Sequence, residues 1–248
     1  MDVMYVLWLR QVRRYIRSGS RLLGTLGQPI LLLLALGYGI GAIYRRAGAG
    51  NYMEFLVPGI ITQTVLLSAI FWGIIILQDK RFGFLAEMLV APVSRLKILL
   101  GSALGGATIS ILQGLMVFIV SSVLVFRPVH WANVPEAFLV LVFMSLALTC
   151  FGAGIASMVD DFQGFQGINN LMVMPLFFLS SALYPLNSVP LVLKIISTIN
   201  PVSYMVDALR YLLTNQTHFG LGHDVLVMTA TFIVALWFAV SRFQRIQM

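Results

Sequence analysis

The sequence predicts an all-α membrane protein with six transmembrane helices, and three observations carry that prediction. Apolar residues make up 59% of the chain and charged residues 10%, against about 25% charged in an ordinary soluble domain. Mean hydropathy is +0.93. Uncharged runs of membrane-crossing length recur along the chain, separated by short polar segments. The net charge of +7 is therefore first a signal of orientation across a bilayer. No soluble stretch is long enough to carry a nucleic-acid surface, so nucleic acid is not an expected partner.

The first expected element is an amphipathic helix over residues 1–21. Arg10, Arg13, Arg14, Arg17 and Arg21 recur every three or four residues and form one stripe, with Trp8, Val12, Tyr15 and Ile16 opposite. Such a helix lies in the headgroup plane, its cations toward anionic lipid or an acidic partner. Spans follow over 22–44, 55–77, 98–126, 137–159, 167–184 and 225–241. The first, second and fourth run about 23 residues, enough to cross about 30 Å of hydrocarbon. The third is longer and can tilt. The uncharged stretch from Phe162 to Leu193 contains Pro175, Pro185 and Pro190, so a span ending near Tyr184 and an irregular connection are expected there rather than one straight helix. Ala47-Gly48-Ala49 resembles a signal-peptidase site, but the apolar run before it exceeds the roughly 7–15 residues of a secretory core. An uncleaved first span is expected.

Cationic residues set the orientation. The N-terminal arginines, Lys80, Arg81, Arg95, Lys97, Arg242 and Arg245 fall on one side; Arg45, Arg46, Arg127, Lys194 and Arg210 fall on the other. The richer side is expected to be cytoplasmic, with both termini inside and the chain multi-pass in the cytoplasmic (inner) membrane.

Motifs for catalysis are missing. The Gly101–Gly106 stretch has no following Lys to make a phosphate-binding loop, and its expected use is close helix packing. No HExxH, CxxC or GxSxG occurs, and the single Cys150 lies in an apolar run. His218, His223 and Asp224 are read as a solvated loop, so no metal site is expected. The span cores hold no Asp, Glu, Lys, Arg or His, which argues against a proton-driven carrier. They do hold Thr62, Gln63, Thr64 and Ser68 in span two, Gln113 in span three, and Asn169 and Asn170 in span five. Of these, Thr62, Gln63, Ser68, Gln113, Asn169 and Asn170 are the candidates to line a path; interhelical hydrogen bonding is the alternative. The chain reads as a transport body without an engine.

The segment Asp79–Lys97, DKRFGFLAEMLVAPVSRLK, is too apolar for a solvated loop. A short helix stopped by Pro92 would present an apolar knob with a charged rim, either to a protein partner or to the membrane surface. EMLVAPVSRLKILLGSALGG, from Glu87, resembles the region between spans two and three of ABC transporter permeases of the type 2 exporter class. Leu179–Leu213, with Asn200, Pro201, Ser203, Tyr204, Asp207 and Arg210 in an N-P-hydroxyl-x-Y-x-x-D-x-hydrophobic-R pattern, resembles the stretch after span five of the same family. SMVDDFQGFQ, Ser157–Gln166, is a third and weaker match.

The resemblance implies one permease domain over 1–248. Its elbow would be a coupling helix, carried by Glu87, Met88, Leu89, Val90, Ala91, Pro92 and Arg95, seated on a cytoplasmic ABC ATPase subunit. Two permease chains and two ATPase subunits would form the complex. No cofactor would bind this chain directly; ATP and Mg would sit on the partner. Arg10, Arg13, Arg14 and Arg17 would lie beside the same groove. Asn200, Pro201, Tyr204, Asp207 and Arg210 would belong to an outer re-entrant helical segment, where Asp207 and Arg210 are spaced to pair and Lys194 and Arg210 either meet an anionic headgroup or pair with Asp207 and Asp224. The implied function is export of a drug-like or lipid-like amphipathic molecule, with polysaccharide or lipid-linked glycan as the alternative cargo. A carrier acting alone and a membrane scaffold are the readings from other classes.

Overall fold

Peptide groups inside hydrocarbon must find their partners within the chain, so so apolar a sequence folds as helices or as a closed barrel. The computed structural model describes residues 3–46, 51–90 and 93–245, and every regular element among them is helical. Helix α1 covers Val3–Ile16 and α2 covers Gly19–Arg46. The expected helix over 1–21 therefore stops at Ile16, and α2 begins before the expected Leu22. Helix α3, Tyr52–Phe71, runs on through Trp72 into α4, Gly73–Arg81. A short α5, Phe84–Val90, follows a turn in which Gly83 takes φ +81°, a conformation suited to glycine. Then come α6, Arg95–Leu124, and α7, Val134–Ala156. The remaining helices are α8, Phe162–Phe178; α9, Leu191–Ile199; α10, Pro201–Thr214; and α11, Leu221–Phe243. Ala47-Gly48-Ala49 lies outside the described residues.

Among the described residues, five helical stretches are long and apolar enough to cross a membrane: Gly24–Tyr44, Tyr52–Arg81, Arg95–Leu124, Trp131–Ala156 and Leu221–Phe243. The bounds of the fifth expected span, 167–184, are corrected. Its helix starts at Phe162, where the Asp161 carboxylate accepts from Gly164 N at 2.6 Å, and has 17 residues. Beyond Phe178 the backbone carbonyls accept from side chains of other elements. Ser197 Oγ donates to Leu179 O (2.7 Å), Arg210 Nη2 to Ser181 O (3.0 Å) and Tyr52 OH to Leu183 O (2.9 Å). Ser181 takes φ +60° in this turn.

Helix α3 is the enclosed centre. It packs on α2, α6, α7 and α10, and Leu56, Ile60, Val65, Leu66 and Ile70 are fully buried there. Lipid tails are as apolar as leucine, so close packing rather than water exclusion holds such helices together. A Cβ at Gly59 would overlap the Ala182 carbonyl oxygen. One at Gly152 would lie 2.8 Å from the Ile70 backbone, and one at Gly73 would lie 2.6 Å from Gly152 O. By contrast α2 and α11 sit at the periphery and leave Leu31, Tyr38, Ile43, Ile233, Val234 and Trp237 exposed.

Candidate functional site

At one end of the bundle, α1 lies on α6. Its packed face is Leu7, Gln11 and Tyr15, spaced four apart, while Arg13, Arg14, Ile16 and Arg17 are exposed. The expected apolar face is thus corrected: Ile16 points away, and polar Gln11 is buried. Glycines of α6 make the seat. A Cβ at Gly101 would lie 2.9 Å from Met4 Cα, and one at Gly105 would lie 2.7 Å from Gln11 Cβ. Trp8 Nε1 donates to Thr108 Oγ1 at 2.9 Å, and Arg10 pairs with Asp79. The side chain of Arg21 is outside the described residues.

The elbow stands at the same end. Leu85 is buried and fixes α5, Met88 is half-buried against the same cluster, and Glu87 and Val90 are exposed, Val90 at 81%. Phe82 and Phe84 are also exposed. Ala91, Pro92 and the side chain of Leu89 lie outside the described residues. Arg95 is used within the chain: its Nη1 donates to Gln244 O at 2.7 Å, joining the start of α6 to the end of α11. Lys80 pairs with Asp160 in the turn before α8, and its hydrogen bond and charge hold that carboxyl below its ordinary range.

Between α1, α2, the α3–α4 joint and α6 lies a cavity of about 440 Å³. Gln113 Nε2 donates to Tyr15 OH at 2.9 Å, and Tyr15 OH lies 3.5 Å from Thr25 Oγ1, so a polar chain links three helices across it. Ser110 Oγ donates to Ser68 Oγ at 3.1 Å on its wall. Trp72 lines it with its ring over Gly106, and the buried Trp72 Nε1–H has no partner among the described residues. An unmet buried donor costs about 1–3 kcal/mol. Of the path-lining candidates, Ser68 and Gln113 meet here. Thr62 instead donates to Pro58 O, the Gln63 Oε1 and both amide atoms of Asn169 are buried without partners among the described residues, and Asn170 is exposed. Sequence reasoning missed Trp72, Gln28 and Tyr15 as lining residues. The i, i+4, i+8 spacing of Leu7, Gln11 and Tyr15 was the signal that could have found Tyr15.

At the opposite end, α9 and α10 form a helical hairpin. Asn200 makes the corner: its Oδ1 accepts from Val202 N at 3.0 Å as the cap of α10, and its Nδ2 donates to Leu176 O at 2.7 Å. Pro201 follows at the first helical position, where its missing N–H costs nothing. Tyr204 OH donates to Thr198 O at 2.7 Å and closes the hairpin. Helix α10 is buried against α3, α7 and α11, whereas α9 exposes Leu191, Val192, Ile195 and Ile199.

Asp207 and Arg210 do not pair with each other. Asp207, 1% exposed, accepts from Thr217 Oγ1, His218 N and Phe219 N, each at 2.9 Å, and so ties down the loop before α11. Arg210, 5% exposed, lies over the Phe55 ring at 3.9 Å and donates to Ser181 O. Three amide and hydroxyl donors outcompete one guanidinium for the carboxylate, and the ring and carbonyl take the guanidinium. No headgroup can reach Arg210 in this conformation. His223 stacks on Tyr204, and no group of three metal-ligating side chains is found among the described residues.

Membrane-length helices thus pack around α3, with an exposed elbow at one end and a hairpin whose second helix is buried at the other. The chain belongs to the ABC-2 type transporter family, whose model matches residues 3–214. It is 27% identical over 221 residues to the transport permease ycf38 of Cyanophora paradoxa, covering 86% of this chain and 75% of that one. It is also 27% identical over 208 residues to nodulation protein J of Rhizobium leguminosarum bv. trifolii, covering 83% and 76%. With ycf38 of Pyropia yezoensis the identity is 29% over 212 residues, covering 82% and 71%. The chain is a membrane protein of a family of transport permeases, which normally work with an ATPase subunit.

Proposed function

We propose that this chain is the membrane permease subunit of an ATP-driven exporter that moves an amphipathic substrate out across the cytoplasmic membrane. Two copies pair, and each engages a separate cytoplasmic ABC ATPase carrying ATP and Mg. Residues 1–248 act as one permease domain crossing six times, with α8 as the fifth crossing. Its 17 residues sit at the short end of the roughly 17–25 needed. Both termini and α5 then face the cytoplasm, and the α9–α10 hairpin plugs the outer end.

The observation that carries this reading is α5. A seven-residue helix joins two span-length helices, is anchored by buried Leu85, and turns Glu87 and Val90 outward. A push on it acts directly on α4, against which it packs, and through Arg10–Asp79 on α1.

The test is purification of the tagged protein in gentle detergent, with co-purifying chains identified, beside a Glu87→Arg, Val90→Asp variant. Retention of a Walker-motif ATPase by the wild type and its loss from the folded variant is the expected result. Absence of any ATPase from a dimeric wild-type preparation sinks the proposal and leaves a carrier that works alone.

A further inference from the structure

We propose that Asp224, in the first turn of α11, is a proton-binding site that latches the hairpin end of the bundle. Its carboxyl holds a proton while the loop before α11 is closed, and releases it to water when that loop lifts. The sequence sets Asp224 beside His218 and His223 in what reads as a solvated loop, yet the fold buries it completely, at 0% exposed, while both histidines stay exposed. Neither carboxylate oxygen has a hydrogen-bond partner among the described residues. The nearby donors are already engaged. Thr217 Oγ1, His218 N and Phe219 N serve Asp207, and Gly220 N donates to Thr217 Oγ1 at 2.8 Å. His223 N and Asp224 N both donate to Gly220 O. An ionised carboxylate buried without donors is so costly that the group takes up a proton instead.

The surroundings add no counter-charge. On α10, Asp207 and Tyr204 lie close enough to Asp224 for charge to act between them. Three donors suit Asp207 to its own charge, and two carboxylates this close repel when both are ionised. Tyr204 OH is committed to Thr198 O, and Arg210 to Ser181 O and the Phe55 ring. On α11 itself, His223 stacks on Tyr204 at 5.9 Å. Glu136 on α7, and Arg127 and His130 before it, are exposed, and α6 has no charged side chain beyond Lys97. A metal ion is a poorer occupant than a proton, because no group of three metal-ligating side chains is found among the described residues. The loop is built to move as a unit: Asn215 at φ +58° and Gly220 at φ +92° bend the chain at its two ends, and Phe219 packs on Tyr204 at 4.5 Å. Lifting it strips Asp207 of its donors and lets water reach Asp224, which ionises; reclosure needs the proton back. Low pH on the membrane face that the hairpin meets therefore holds the loop closed.

This goes beyond the export reading and stands without it, since the test needs neither substrate nor ATPase. The first readout is the infrared C=O stretch of a protonated carboxyl, recorded on the full chain in nanodiscs at about pH 6, where an ordinary aspartate with a pKa near 3.9 is ionised. The wild type is expected to show this band and Asp224→Asn to lack it. Carbon-13 in the aspartate carboxyls assigns the band to an aspartate in the wild type alone, so the test survives a variant that does not fold. The second readout is hydrogen exchange of residues 216–223, corrected for the intrinsic rate. The closed chain binds one proton more than the open one, so opening should rise with pH, by up to about tenfold per unit between about pH 5 and 6.5. Asp224→Asn should open to the same extent throughout that range. A band missing from the folded wild type, or surviving in folded Asp224→Asn, overturns the proton site. Opening that is flat in the wild type, or equally steep in both proteins, overturns the latch.

Discussion

At the α10 end, Asp207 and Arg210 are buried and each is held by fixed partners: the 217–219 backbone and hydroxyl for one, a carbonyl and an aromatic ring for the other. At the α1 end, Arg10–Asp79, Lys80–Asp160 and Arg95–Gln244 are contacts between separate elements, and each has at least one exposed or partly exposed member. Buried charges held by fixed partners are costly to disturb, whereas water can replace a partly exposed pair at little cost. The difference teaches where this bundle is rigid and where it can be driven: the hairpin end behaves as a clamp, and the elbow end as a set of releasable contacts.

Asp207→Ala should break the clamp outright. It orphans the His218 and Phe219 amides and the Thr217 hydroxyl, and charge-assisted hydrogen bonds are worth roughly 1.5–3 kcal/mol each. A loss of about 3 kcal/mol is expected, read as a large fall in the unfolding midpoint of the detergent-solubilised protein. An unchanged midpoint would remove the distinction between the two ends.

Gly59→Val attacks the same end through packing. Its side chain must displace the Ala182 backbone, and overpacking costs about 1–3 kcal/mol. A smaller but clear fall in the midpoint is expected, with the hairpin made accessible to protease before the α1 end.

Arg10→Ala tests the other end. The arginine side chain is 37% exposed, so the loss should be about 1 kcal/mol and smaller still at high salt. A loss as large as that of Asp207→Ala would show that α1 is clamped and not releasable.

The smallest effect belongs to Asp160. Lys80 lowers its pKa, by hydrogen bond and then by charge, so the pair contributes above the ordinary aspartate value and is lost as pH falls through the lower folded value. Acid unfolding of Asp160→Asn should lack that component, and above pH 5 the two proteins should differ by a small, pH-independent amount. An identical acid limb would show that the pair contributes nothing in solution.

Much of this was legible in the sequence because the signals are local. Runs of uncharged residues long enough for a bilayer set the helices, and five of the six expected spans fall on membrane-length helices with their bounds shifted by a few residues. The small residues at Gly101 and Gly105 announced close packing, and the motifs around Glu87 and Asn200 announced the family. What the sequence could not decide was which polar side chain finds which partner. Asp207 and Arg210 sit three apart on one helix, and local spacing favours a pair. Only the fold brings residues 217–219 to the first, and Phe55 and Ser181 to the second. The same holds for the turn after α8, where the carbonyls of Leu179, Ser181 and Leu183 are taken by side chains of other elements. The cavity is the clearest case: Tyr15, Gln28, Trp72 and Gln113 come from four separate elements. Helix formation is a property of a run of residues, whereas a site is a property of how helices pack, and only the tertiary structure holds that information.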